Sequence, residues 1–322
     1  MYNVGMDKPR APRDRNNPVR RESSEADYSM MEFMRMYPDD AACLDRLWRD
    51  RFAPDGHHAY CPSDKCKRER KFHRTKTRAA YTCDSCGLHI HPQKGTIFER
   101  SSTSLQLWFY AMYLMASTRC GISAKQLERE LGVTYKQAHK MMKRIRTELM
   151  NDDDGEPLSG DVEIDETSWG GKARVPMDRF EAAAFREAKP TILGMVERGG
   201  RIRFRVIASR RGAPVSRAVL ANVNPSSIIF TDDWQAYKPL RGQFLDHRII
   251  NHSAGLYVRG DTYTNTIEGA FGNMKTGMRG VYKKVSPRYL QSYLDEYAWR
   301  HNAQRSGSAL FEQLLRRAAS PA

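Results

Sequence analysis

Asp161-Val162-Glu163-Ile164-Asp165-Glu166-Thr167-Ser168-Trp169-Gly170-Gly171-Lys172 is the stretch on which the fold turns. Val162 to Asp165 reads as a short β-branched strand that ends in a carboxylate. Ser227–Thr231 (SIIFT) repeats the pattern and delivers Asp232. Between them, Thr191–Glu197 and Arg201–Ala208 are apolar runs divided by Arg198-Gly199-Gly200, a hairpin signal. Val215–Val223 reads as a helix, Arg248–Asn251 as a further strand, and 264–278 and 287–303 as helices. In the last of these Leu290, Tyr293, Leu294, Tyr297 and Ala298 recur at helical spacing. Strands followed by helices argue for an α/β domain over 160–305. It opens at the acidic, turn-rich linker NDDDGEPLSGD (151–161), and a C-terminal tail over 306–322 follows it. Residues 169–189 lie between two strands and read as a flexible, Lys/Arg-bearing insertion.

Acidic residues at the ends of neighbouring strands sit together. Glu268 opens a helix, and thirty-five residues separate it from Asp232. Three carboxylates arriving from two strands and a helix can hold two hard divalent cations through oxygen. Two such cations about 3.5–4 Å apart clamp the attacking and leaving oxygens of an in-line displacement at phosphorus. A strand-end Asp alone is more often a turn former or a helix cap, and Glu166 and Asp233 adjoin the pair. Asp165 and Asp232 are preferred because each directly follows its apolar strand. Lys275 lies two helical turns after Glu268 on the same face, within reach of a DNA phosphate.

Upstream the chain is built differently. Cys61-x4-Cys66 and Cys83-x2-Cys86 are two close pairs, and four thiolates from two turns close a tetrahedron around zinc with no open position. Such a site is structural and lets the small segment 57–98 fold as a zinc ribbon. His89 and His91 stand nearby as substitute ligands, and Cys43 and Cys120 read as packed in helices. The basic stretch between the pairs, including Arg68, Arg70 and Lys71, suits phosphate contact. Residues 1–28 read as a disordered arm and 29–56 as an N-terminal helix, with Ala41, Leu44, Leu47 and Trp48 at helical spacing.

Residues 99–150 read as helical. Gly121 to Ala138 fits a helix-turn-helix: Ser123 caps a first helix, Gly132 permits the turn, and Thr134 caps a second. Leu127, Leu131, Ala138, Met141, Met142 and Ile145 point inward, and Lys136, Gln137, Lys140, Lys143 and Arg144 present an outer face to phosphates and base edges. The plain alternative is an ordinary helical hairpin.

Charge agrees with a polyanionic partner. Lys and Arg number 53 against 38 Asp and Glu, a net charge of +15 and a pI near 9.6 in 322 residues. A surplus of that size favours nucleic acid first and an anionic membrane surface second. No run of 18 apolar residues occurs, so no membrane span is expected. The start of the chain shows no apolar secretory region, and a cytoplasmic, nucleoid-associated placement is expected.

The motifs, taken in order, resemble those of bacterial insertion-sequence transposases of the zinc-ribbon DDE type, relatives of the Merlin transposons. The resemblance covers about residues 38–305. It rests on the ribbon Cys61 to Cys86, on Glu163 to Lys172, on Phe230 to Tyr237 (FTDDWQAY), on Tyr263 to Glu268 (YTNTIE), and on Tyr289 to Asn302. It implies an RNase H-like catalytic fold, dependence on Mg²⁺ or Mn²⁺, and transposition by phosphodiester hydrolysis and 3′-hydroxyl strand transfer. It carries over Asp165, Asp232 and Glu268 as the metal triad, with Asn265 as a competitor for the third place. The partners so implied are double-stranded DNA, as terminal inverted repeats and target, and a second copy of the chain on that DNA. The competing class is a non-catalytic, domesticated DNA-binding regulator using the ribbon and the helix-turn-helix.

Overall fold

The computed structural model describes residues 29–118, 120–151, 155–171, 178–250, 264–305 and 309–320. The expected arm over 1–28 lies outside them. Two lobes result: an N-terminal lobe of helices and a small sheet, and an α/β lobe.

The N-terminal lobe begins with two helices rather than one. α1 (Met30–Met36) starts at a capping box in which the Ser29 hydroxyl accepts from the Glu32 N–H and the Glu32 carboxylate accepts from the Ser29 N–H. Pro38 breaks the run. α2 (Asp40–Arg51) then starts at Asp39, whose side chain accepts from the Ala42 N–H. β1 (His58–Cys61), β2 (Arg68–Arg74), β3 (Tyr81–Cys83) and β4 (His89–Ile90) form an antiparallel sheet in sequence order. It is seated on α2 by Trp48, which stacks on Tyr81 with centroids 4.2 Å apart.

α3 (Leu105–Ser117) is the buried apolar helix. α4 (Ala124–Leu131) and α5 (Tyr135–Arg144) follow, joined through Gly132 at φ 65°. That left-handed turn is open to glycine at little steric cost. Ser123 and Thr134 cap the two helices, and Leu127, Ala138, Met141, Met142 and Ile145 are fully buried. A π-helical turn, Ile145–Leu149, continues α5.

The α/β lobe holds one five-stranded sheet in the order β7-β6-β5-β8-β9. β5 (Asp161–Ser168), β6 (Thr191–Glu197) and β7 (Ile202–Ile207) form an antiparallel meander, and β8 (Ile228–Asp232) and β9 (Asp246–Ile250) add in parallel. α6 (Arg179–Glu187) lies within the 169–189 insertion, so part of that segment is helical. α7 (Gly212–Asn222) covers one face of the sheet, over Val162, Ile164, Leu193 and Ile229. α8 (Asn265–Tyr282) and α9 (Leu290–Arg305) cover the other, over Ile192, Val196 and Phe204.

The segment over 306–322 is not simply a tail. Its α10 (Leu310–Ala319) buries Leu310, Phe311, Leu314 and Leu315 in the core of the N-terminal lobe. Arg46 on α2 donates to both carboxylate oxygens of Glu312, at 2.5 and 3.3 Å. α9 also bridges the lobes, with Leu290 and Leu294 in the α/β core and Trp299 and Ala303 in the N-terminal core. At the junction Glu296 is 3% exposed and lies between two guanidinium groups. Arg146 donates to it at 2.6 Å and Arg300 at 2.8 Å. Arg146 also stacks over Tyr293 at 4.0 Å.

Candidate active site

Alternation along β5 sorts its side chains by face. Val162, Ile164 and Glu166 point toward the α7 side, where the Tyr237 hydroxyl donates to Glu166 at 2.7 Å. Glu163, Asp165 and Thr167 point toward α8: the Thr266 N–H donates to Glu163, and the Lys275 ammonium donates to Thr167.

Asp165 is not at the end of its strand, as the sequence suggested. β5 runs on to Ser168 because it stays paired with β6. What ends near Asp165 is the other neighbour: pairing of β5 with β8 is confined to Asp161–Glu163 against Ile228–Phe230. Continued by two residues, that parallel register sets Asp165 level with Asp232, the last residue of β8. Glu163 and its partner Phe230 share the α8 face, so Asp165 and Asp232, each two residues on, share it too.

The electrostatics carry the same message. Burial is the main reason that Asp165 is pushed up to about 7, followed by repulsion from Glu166, Asp232 and Glu268. Glu166 is raised as well, by burial and by Asp232, against the Tyr237 hydrogen bond that lowers it. Lys275 is lowered by burial and by Arg279, while Asp165 pulls it the other way. A carboxylate feeling three others and one ammonium is a site short of positive charge.

Glu268 is exposed on the first turn of α8, and Asn265 is exposed at its first position. The structure thus brings Asp165, Asp232, Glu268 and Lys275 into one electrostatic neighbourhood. It does not draw the three acidic side chains into a tight cage: among the described residues, the one group of three or more metal-type ligand atoms within 4.8 Å of one another is the four cysteines. A cavity of about 700 Å³ lies away from the carboxylates, lined by residues of α8 and α9 and by Cys120. Cys120 is exposed, in the loop between α3 and α4, not packed in a helix.

The thiolate cluster fits zinc. Cys61 and Cys83 are buried at strand ends, and Cys66 and Cys86 lie on the turns that follow. The Cys61 and Cys86 sulfurs are 3.6 Å apart, against about 3.8 Å between ligands on a tetrahedron of Zn–S bonds near 2.3 Å. The Leu88 N–H is the first cause holding the Cys86 thiol down to about 6. His89 and His91 are turned elsewhere, to Thr82 and the Ala79 carbonyl.

The cationic candidates divide. Lys136, Lys140 and Lys143 are exposed on α5. Gln137 instead donates to the Thr103 hydroxyl at 2.6 Å, and Arg144 is held by Glu148 and the Ile97 carbonyl. On β2, Arg68 and Arg70 share one face and Lys71 the other. Arg68 and Lys71 are exposed, whereas half-buried Arg70 turns to Cys66. Sequence reasoning missed Glu163, Gly194 and Arg198 around the carboxylates. Only the bare glycine within an apolar strand carried a signal, the mark of a close backbone approach.

Residues 157–302 match the family described as the ISXO2-like transposase domain, a segment that contains Asp165, Asp232 and Glu268. The chain is 28% identical over 249 residues to an uncharacterized protein in the transposable element ISH50 of Halobacterium salinarum. That alignment spans 73% of this chain and 83% of its relative. No solved structure gives a significant match. The two matches make the chain similar to insertion-sequence transposases, with the likeness to the ISXO2-like transposase domain carried by residues 157–302.

Proposed function

We propose that this chain is a metal-dependent DDE transposase that binds the ends of its element, hydrolyses a phosphodiester there, and joins the freed 3′-hydroxyl to target DNA. The observation that carries this is the shared level and face of Asp165 and Asp232 on adjacent strands, under the helix that brings Glu268. A three-strand antiparallel meander extended by two parallel strands supports an RNase H-like reading of the domain.

Asp165, Asp232 and Glu268 are the residues that would hold Mg²⁺ or Mn²⁺. The carboxyl raised to about 7 in a field of like charge suits a site completed by a cation. When bound, the ions supply an activated water or 3′-hydroxyl and stabilise the leaving oxygen. The protein's own part is to orient. Lys275, bonded to Thr167 beside Asp165, is placed for a phosphate oxygen of the scissile strand. Arg210, which donates to the Ser168 hydroxyl at 2.7 Å, brings a second cation to the same rim.

The N-terminal lobe reads DNA in this proposal. α4 and α5 act as a helix-turn-helix with Lys136, Lys140 and Lys143 on phosphates, and the zinc ribbon adds Arg68 and Lys71. At least two copies hold a pair of ends together, and the protein works on the nucleoid of a bacterial cytoplasm. Among the described residues no helix is long and apolar enough to cross a membrane.

The test is a reaction with labelled element ends and Mg²⁺. Asp165→Asn and Asp232→Asn should bind ends and fail to cut. Cleavage retained by either variant overturns the assignment. Absence of nicking by the wild type with Mg²⁺ and Mn²⁺ on every end substrate, with specific binding intact, leaves the non-catalytic regulator.

A further inference from the structure

We infer that Glu163 is a positioning residue for the carboxylate centre, tying the helix that carries Glu268 and Lys275 to the two strands that carry Asp165 and Asp232. The inference rests on the DDE reading above and adds a role that the triad does not contain. Glu163 is fully buried, at 0% exposure, so it touches neither substrate nor ion. It lies two residues before Asp165 on the same face of β5, about 7 Å deeper along the strand.

Its carboxylate serves all three chain segments. The Thr266 N–H and Ile267 N–H donate to one oxygen at 2.9 and 3.1 Å, and the Thr266 hydroxyl donates to the other at 3.0 Å. Those are first-turn groups of α8, immediately before Glu268. Arg198 donates to Glu163 at 3.0 Å and lies over the Phe230 ring at 3.7 Å. Phe230 is the partner of Glu163 across β5 and β8, two residues before Asp232. One carboxylate thus fixes β5 directly, β8 through Arg198, and α8 through its amides.

Two physical facts make this a tether rather than an ordinary ion pair. The N-cap residue of α8, Thr264, makes no side-chain cap of its own, so the cap comes from Glu163, about a hundred residues away in sequence. Helix N-terminal N–H groups favour an anion, and with that anion built into the sheet the helix cannot slide along it without breaking the cap. A buried carboxylate is tolerated only where hydrogen bonds and a counter-charge serve it, and here both its oxygens are served.

The experiment uses the full chain with zinc bound and compares Glu163→Gln, Thr266→Val and Asp165→Asn with wild type. It measures end binding, Mg²⁺-dependent cleavage across metal concentration, and hydrogen exchange of the 264–270 segment without DNA. Glu163→Gln should bind ends as wild type does, need more Mg²⁺, and cut between about tenfold and a hundredfold more slowly. Its Thr266 and Ile267 amides should exchange faster. Thr266→Val, which keeps the buried charge, should move cleavage and exchange the same way by less, and it carries the test if Glu163→Gln does not fold. Wild-type cleavage and wild-type exchange in Glu163→Gln, or in Thr266→Val where that variant stands in, overturn the positioning role while Asp165→Asn stays inactive. If Asp165→Asn still cuts, the DDE reading has failed instead, and the exchange data alone decide whether Glu163 holds α8.

Discussion

Asp165 on β5 faces Gly194 on β6 across an antiparallel pair, and the bare α-carbon of Gly194 is what lets α8 lie close over the carboxylates. A Cβ built there would stand 2.6 Å from the Phe271 ring and 2.7 Å from the Ile267 side chain. Gly194→Ala should therefore lift α8 from the sheet. We expect a loss of about 1–3 kcal/mol from overpacking, read by denaturant titration, with a fall in cleavage larger than the fall in end binding.

The Asp165 carboxyl, raised to about 7 chiefly by burial and then by Glu166, gives a pH dependence with a definite sign. Its folded pKa lies above the unfolded value of about 3.9. Its contribution therefore favours the folded state as pH falls from about 7 toward 4, and disfavours it as pH rises through 7. Cleavage should run the other way and fall toward acid pH, where the proton competes with the cation for the carboxyl, with a midpoint that moves lower as Mg²⁺ is raised. Melting curves of the zinc-loaded protein without added Mg²⁺, and rate profiles in Mg²⁺, for wild type and Asp165→Asn, check both directions. The variant should lose this component of the stability profile.

Glu296 neutralises two nearly buried guanidinium groups at the lobe junction. Glu296→Ala leaves Arg146 and Arg300 without it and should cost about 3–5 kcal/mol. Gly121, at φ 85°, comes so close that a Cβ would meet the Tyr282 hydroxyl at 2.3 Å and the Glu296 carboxylate at 2.8 Å. Gly121→Ala should loosen the same joint. Limited proteolysis between the lobes, faster in both variants than in wild type, is the readout.

Zinc removal should unseat the ribbon. With the thiolates released, Trp48 loses the platform formed by Tyr81 and Phe72. Chelation or Cys83→Ser should change tryptophan emission and reduce end binding, and metal analysis of the intact protein should find about one zinc per chain.

Lys136, Lys140 and Lys143 should each lower the salt dependence of end binding by about one ion when changed to Gln, nearly uniformly across sequences. Gln137→Ala should act otherwise. Its amide is spent on Thr103, so it should disturb the packing of α5 against the segment before α3 more than base preference.

What the sequence revealed was local. Paired cysteines, two capped helices joined at a glycine and acids following apolar strands are patterns of a few residues, and Asp165 and Asp232 stand out by that rule. The strand-end placement of Asp165 was off by three residues, because β6 extends a partner to Ser168 that no feature of 161–168 announces. α1 was not told apart from α2 within the single helix expected over 29–56, although Ser29 and Glu32 spell a capping box, since its seven residues give too short a periodicity. Glu163 and Arg146 escaped for a deeper reason. Each looks like an ordinary charged residue until a partner more than a hundred positions away is brought to it. Arg70 reads as a phosphate contact in a basic run, and only the folded ribbon shows it turned to a cysteine.

The seat of α10 in the N-terminal core bears on how the protein is made. The ribbon and the helices around it leave the ribosome early, yet the floor beneath Phe33, Tyr37 and Tyr113 is Phe311. Until that helix emerges, the nascent head exposes an aromatic hollow, and a chain cut short by a frameshift inside the α/β lobe never closes it. Interrupted copies of such a gene would then encode poor competitors for the element's ends.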